Sequence, residues 1–165
     1  MAFIDLIKNK FNLLHGYSMY EVLLTQEQFV YNDFFKRSVL RLDSEELIEK
    51  WKHPLVVDIK EKLQKEYNCS ISSAFLNKYI TEEDYCKYHQ DTYQDVNIIF
   101  IISLGGARKF YTKHNETGEV IKYDFEDGDL MIFNDEFNKN HKHSVPKLKK
   151  YKDPRISIVM FGKYR

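Results

Sequence analysis

Cysteine is nearly absent. Cys69 and Cys86 are the only two in 165 residues, too few for a disulfide framework, and they point to a reduced, intracellular setting. Glycine and proline are also sparse, at six and three, which excludes collagen-like and low-complexity chains. Neither sign of charge prevails, since 25 basic residues meet 25 acidic ones. A nucleic-acid site must then be a local patch rather than a global field. No apolar run reaches the roughly 18 residues that a membrane-spanning helix needs. Near the start, Phe3, Ile4, Ile7, Phe11 and Leu14 recur at helical spacing but are interrupted by Asp5, Lys8 and Lys10, which fits neither a signal peptide nor a span. Arginine is scarce too, five against twenty lysines. Each arginine is therefore informative, because its planar guanidinium grips carboxylates bidentately.

Hydrophobic residues at 43% and charged ones at 30% describe an ordinary globular chain, and the length suits a single domain over 1–165 with one core. Residues 1–50 read as mixed helix and loop, with Ser44 capping a helix that carries Leu47, Ile48 and Trp51. From Pro54 to Tyr67, Val56, Val57, Ile59, Leu63 and Tyr67 share one helical face behind a proline placed where helices begin. After Asn68 the period changes to alternation, which predicts strands over 71–79, 88–92, 97–104, 108–113, 119–125, 129–134, 143–145 and 155–161. The fold class expected is mainly β with packing helices (α+β), a closed or sandwiched antiparallel sheet such as a jelly roll, in 54–165. The N-terminal helix and loop region, 1–53, is a candidate substrate lid.

His89-Gln90-Asp91 sets an imidazole and a carboxylate at i and i+2, the same face of a strand. A second such triplet, His114-Asn115-Glu116, falls in a predicted turn and faces water. Downstream, His143 opens a short strand, with His141 on the same face by alternation, and Arg155-Ile156-Ser157 follows. Two histidines and one carboxylate on a β-barrel form the facial triad that leaves open positions on Fe(II) for co-substrate and dioxygen. An arginine deep in such a barrel needs an anion. The distal carboxylate of 2-oxoglutarate is a natural partner for Arg155, with one more bond from Ser157. Upstream, Asn77 and Tyr79 share a strand face and want polar partners.

The ordered set Asn77-x-Tyr79, His89-x-Asp91, Ser103-Leu104-Gly105 with Arg108-x-Phe110, Gly128-Asp129-Leu130, His143-x-Val145-Pro146-Lys147 and Pro154-Arg155-x-Ser157 resembles the AlkB-like Fe(II)/2-oxoglutarate dioxygenases. The resemblance covers roughly Pro54 to Phe161 and implies a double-stranded β-helix. It implies Fe(II) held by His89, Asp91 and His143, the last chosen over His141 by its spacing to Pro154-Arg155. It also implies 2-oxoglutarate bound by Arg155 and Ser157 with help from Asn77 and Tyr79, and dioxygen as the other co-substrate. The implied reaction is oxidative dealkylation of N-alkylated bases, with 2-oxoglutarate converted to succinate and carbon dioxide.

The sequence departs from the family in three places. The second arginine of the family's closing run is Phe161 here, with Lys163 beyond it as a candidate replacement. Thr92 and Tyr93 follow His-x-Asp where repair members often carry an acidic residue, and the first 50 residues are short for a nucleotide lid. Arg108 contacts substrate or solvates a strand edge. A basic segment from Lys139 to Arg155 is expected to meet a phosphate backbone, and Tyr17, Tyr20, Phe29, Tyr31, Phe34 and Phe35 are candidates for stacking on a flipped base. The expected partner is thus single-stranded DNA or RNA, bound by a monomer. The alternatives are the same chemistry on a protein side chain, a tRNA nucleoside or a small molecule, and a catalytically silent jelly-roll binding module.

Overall fold

The computed structural model describes residues 1–11, 17–26, 28–51, 53–150 and 152–165. Eleven strands and four helices follow in the order β1 (Ile4–Ile7), α1 (Tyr17–Leu24), β2 (Val30–Asn32), β3 (Arg37–Leu42), α2 (Glu45–Trp51), α3 (Pro54–Tyr67), β4 (Cys69–Tyr79), β5 (Cys86–His89), β6 (Ile98–Gly105), β7 (Arg108–His114), β8 (Val120–Phe125), β9 (Leu130–Asn134), α4 (Asp135–Asn140), β10 (His141–Val145) and β11 (Arg155–Tyr164). A seven-stranded antiparallel sheet, β1-β9-β6-β11-β4-β3-β2, lies against a four-stranded one, β5-β10-β7-β8. This is the expected jelly roll.

The central strands of the large sheet are buried on both faces, and that explains their sequence. One core holds Ile102, Leu76 and Ile158 of the sheet with Val56, Ile59 and Leu63 of α3, whereas the other lies between the sheets around Phe75, Ile101, Phe110, Phe125 and Phe133. A strand covered on both sides has no reason to alternate. Hence β6 opens on an unbroken apolar run, Ile98 to Ile102, and all but its last residue are buried. Helix α3 matches its expected limits, with Pro54 in the first turn and Asn68 closing it in a left-handed conformation, φ 47°. Ser44 caps α2 by accepting from Leu47 N at 3.1 Å.

The first 50 residues differ from the helix-and-loop expectation, for three strands lie there. The helical spacing of Phe3, Ile4 and Ile7 loses to the open edge of β9, on which Ile4 pairs with Phe133 and Leu6 with Met131. Leu14 lies outside the described residues. On the other side of the sheet β3 pairs with β4, and β2 forms the edge outside it. Two parts of the candidate lid reach the space between the sheets: β1 and its flank through Ala2, Ile4 and Leu6, and the β2–β3 region through Phe35 and Val39. Tyr20 and Phe29 pack on the helical side instead, so neither can stack on a ligand there. The side chain of Tyr17 lies outside the described residues.

Candidate active site

Two strand ladders bring the predicted residues together. In the small sheet His143 of β10 pairs directly with His89, the last residue of β5. In the large sheet β11 runs between β4 and β6, so that Arg155 is flanked by Tyr79 and Gly105, and Ser157 by Asn77 and Ser103. The strand expected over 88–92 ends at His89, and Asp91 stands in the loop beyond it. The i, i+2 strand relation therefore does not hold, yet the loop folds the carboxylate back. Asp91 Oδ1 lies 3.5 Å from His89 Nε2, and Oδ2 lies 3.6 Å from His143 Nε2. One ligand atom from each residue falls within 4.8 Å of the others. This set, two imidazoles and a carboxylate, could hold a metal ion.

The surroundings fix the imidazoles. His89 Nδ1 is 2.8 Å from Lys87 O, and an Nδ1–H donating there turns Nε2 to the centre. His143 lies stacked on Phe110, centroids 5.4 Å apart. Burial opposes a charge on His89, but its hydrogen bonds to Asp91 and Cys86 win and push it up to about 10. Burial pushes His143 down to about 4. Burial would raise Asp91, but the neighbouring imidazoles and the His89 hydrogen bond hold it below its usual range.

At the other end of the space, Arg155 is buried with its Nε donating to Ser103 Oγ at 2.7 Å. Its guanidinium lies 5.0 Å from the ring centroids of both Tyr79 and Phe125. No carboxylate pairs with it among the described residues, and burial pulls its pKa down to about 10. Two buried polar atoms on residues that line this space have no hydrogen-bond partner: Arg155 Nη1 and Asp91 Oδ2. A metal at the carboxylate and an anion at the guanidinium would satisfy both. Between them lies a cavity of about 300 Å³, reached by Asn77, Tyr79 and Ser157 and walled by Phe75, Tyr93 and Phe161. Asn77 Nδ2 donates to Ser157 Oγ at 3.0 Å.

Sequence reasoning missed Arg37. It stands buried on β3, donates from Nε to Asn77 Oδ1 at 2.7 Å, and its guanidinium is 5.7 Å from the Tyr79 ring centroid. The one available signal was arginine's scarcity together with the alternation Arg37-x-Val39-x-Arg41.

Three expectations need correction. Arg108 neither meets the cavity nor solvates an edge: it is buried and donates to Thr81 O at 2.8 Å and Asp84 O at 2.9 Å, pinning the loop before β5. Lys163 does not replace an arginine at Phe161. A bulge after Phe161 breaks the alternation of β11, and Lys163 is 3.6 Å from Asp95 at the surface. Phe161 is instead covered by Tyr93, ring centroids 3.8 Å apart. Finally, Arg155 belongs to the interior, so the exposed charge of the 139–155 segment is carried by lysines, of which Lys139 pairs with Asp135 and Lys147 with Glu83. His141 stacks on Phe137 away from the centre, centroids 3.8 Å apart.

Residues 41–160 match the family model of the 2OG-Fe(II) oxygenase superfamily. The chain belongs to this superfamily. Its members are oxidoreductases that use Fe(II), 2-oxoglutarate and dioxygen. The chain is 30% identical over 109 residues to the uncharacterized protein R406 of Acanthamoeba polyphaga mimivirus, covering 64% of this chain and 57% of that one. It is 22% identical over 117 residues to the DNA oxidative demethylase ALKBH2 of Bos taurus, covering 64% and 42%. The chain thus spans about half the length of the curated relatives it matches. The fold is shared with OsALKBH1, at a TM-score of 0.65 and 15% identity over 96% of this chain and 97% of that one. It is shared equally with a prolyl hydroxylase from Trichoplax adhaerens, TM-score 0.66 and 14% identity, covering 97% and 83%. In sequence the chain is similar to AlkB-type members of the superfamily. Among the described residues no helix is long and apolar enough to cross a membrane.

Proposed function

We propose that His89, Asp91 and His143 hold Fe(II), that Arg155, Ser157, Asn77 and Tyr79 bind 2-oxoglutarate, and that the protein dealkylates N-alkylated bases in single-stranded DNA or RNA. The observation that carries this reading is the pairing, in one cavity, of a buried guanidinium whose Nη1 has no hydrogen-bond partner with a His-Asp-His cluster. Bound there, Fe(II) with dioxygen and 2-oxoglutarate supplies an oxidant that hydroxylates an unactivated C–H bond. The chain's own residues do the rest. Arg155 fixes the distal carboxylate of the co-substrate, and the Asn77–Ser157 pair presents polar atoms beside it. Phe75, Tyr93 and Phe161 keep water from the alkyl carbon. The hydroxylated N-alkyl carbon then collapses to the free amine and an aldehyde.

The substrate reading is supported by the AlkB-type relatives and by the β2–β3 hairpin, where Tyr31 and Phe34 are exposed and Lys87 lies 4.4 Å from the Phe34 ring centroid. Exposed rings beside a cation suit a stacked base and its phosphate. A second reading, the same chemistry on a substrate outside nucleic acid, is favoured by Phe161 and its Tyr93 cover, an apolar wall in place of an arginine. Anaerobic addition of Fe(II) and 2-oxoglutarate should give a visible charge-transfer band that Asp91→Ala lacks. Formaldehyde released from N-methylated single-stranded oligonucleotides, more than from duplex, supports the first reading. Decarboxylation of 2-oxoglutarate without formaldehyde from any methylated oligonucleotide supports the second.

A further inference from the structure

Of the three residues in the His-Asp-His cluster, Asp91 alone stands outside a strand. His89 and His143 are fixed by the β5–β10 ladder. Asp91 lies beyond the end of β5, where the backbone has no strand partner. Its groups are satisfied by one side chain. Asn138 of α4 accepts from Asp91 N through Oδ1 at 3.2 Å and donates from Nδ2 to Asp91 O at 2.8 Å. Both main-chain groups of one residue are thereby exchanged with one amide, as they would be with a neighbouring strand. The preceding residue closes the ring: Gln90 Nε2 donates to Asn138 O and to Lys139 O, each at 2.8 Å.

We propose that Asn138 is a positioning residue for the metal site, holding Asp91 in register with the two histidines by standing in for the missing strand. This rests on the reading of Asp91 as an iron ligand. The connection has a second end, for α4 runs directly into β10, which carries His143. One short helix therefore ties the loop of one ligand to the strand of another. An amide suits this place because it accepts from an N–H through one atom and donates to a carbonyl through another, as a strand backbone does. A carboxylate accepts but repels the carbonyl, and an alanine does neither.

The consequence is read in metal binding rather than turnover. Groups that orient metal ligands typically change affinity by about 10- to 100-fold when removed. Fe(II) binding to the full chain, measured anaerobically by calorimetry, should weaken by that amount in Asn138→Ala. It should weaken also in Asn138→Asp, which preserves shape and the acceptor. Glu136→Ala loses an exposed ion pair of the same helix to the Met1 amino group, and it should bind as the parent does. If α4 melts in the alanine variant by circular dichroism, the aspartate variant decides. Parental affinity in a folded Asn138 variant, with binding still dependent on Asp91, overturns the positioning role alone. Equal binding by Asp91→Ala and the parent overturns the ligand assignment and the positioning role with it.

Discussion

Arg155 and Tyr79 are cross-strand neighbours on β11 and β4, and the guanidinium lies 5.0 Å from the phenol ring centroid with Nη1 left unpartnered. A buried cation without a carboxylate costs stability, and it is retained where a ligand completes it. Arg155→Met should therefore melt at a temperature equal to or above the parent's while the KM for 2-oxoglutarate rises by about 100-fold, the worth of two charge-assisted bonds. Arg155→Lys, which keeps the charge and loses the fork, should fall between. Thermal melts and co-substrate titrations check both. A lower melting temperature with an unchanged KM would make Arg155 structural.

Asp91→Ala should abolish 2-oxoglutarate decarboxylation, and His143→Ala should do the same, because each removes a ligand from a set of three. Carbon dioxide release in the presence of Fe(II) measures this. Retained turnover in either variant would mean a different ligand set.

Metal uptake should release one proton near neutrality. His143, held down at about 4, is already neutral there, whereas His89 keeps its proton up to about 10. A metal needs both imidazoles neutral, so affinity should rise about tenfold per pH unit between about 6 and 9. The metal-free fold feels the two groups oppositely. The raised pKa of His89 contributes stability fully present below its ordinary 6.5 and lost as pH climbs through about 10. The lowered pKa of His143 contributes stability present above 6.5 and lost as pH falls through about 4. Co(II) titrations over a pH series give the slope, and a slope of zero or two contradicts the assignment.

Arg37→Leu should cost about 1–3 kcal/mol, because Asn77 Oδ1 would be left buried without its donor. It should also weaken 2-oxoglutarate binding through the loosened Asn77. Denaturant melts and the co-substrate KM read the two effects separately.

What the sequence disclosed was whatever local pattern and residue chemistry could carry. Helix α3 announces itself through Pro54 and its apolar face, β7 through alternation, and β6 and β9 through their apolar runs. The grouping of His89, Asp91 and His143 was legible through their ordered spacing with Asn77, Tyr79, Arg155 and Ser157, although Asp91 stands in a loop and not on a strand. Arg37 was not legible, since its meaning comes from the pairing of β3 with β4, far apart in the chain. Asn138 was hidden likewise: α4 was not foreseen, and an Asn in an acidic, polar stretch has no pattern of its own. Strand β1 misled through the chance spacing of its apolar residues, which the open edge of β9 overrode.

Strand β5 is four residues long and forms an edge of the smaller sheet. A metal bound by His89, Asp91 and His143 would rivet that edge to the strand inside it. Loading the metal should then slow amide hydrogen exchange over 86–91 far more than elsewhere. The stretch that carries the chemistry would also be the first to fray when the ion leaves.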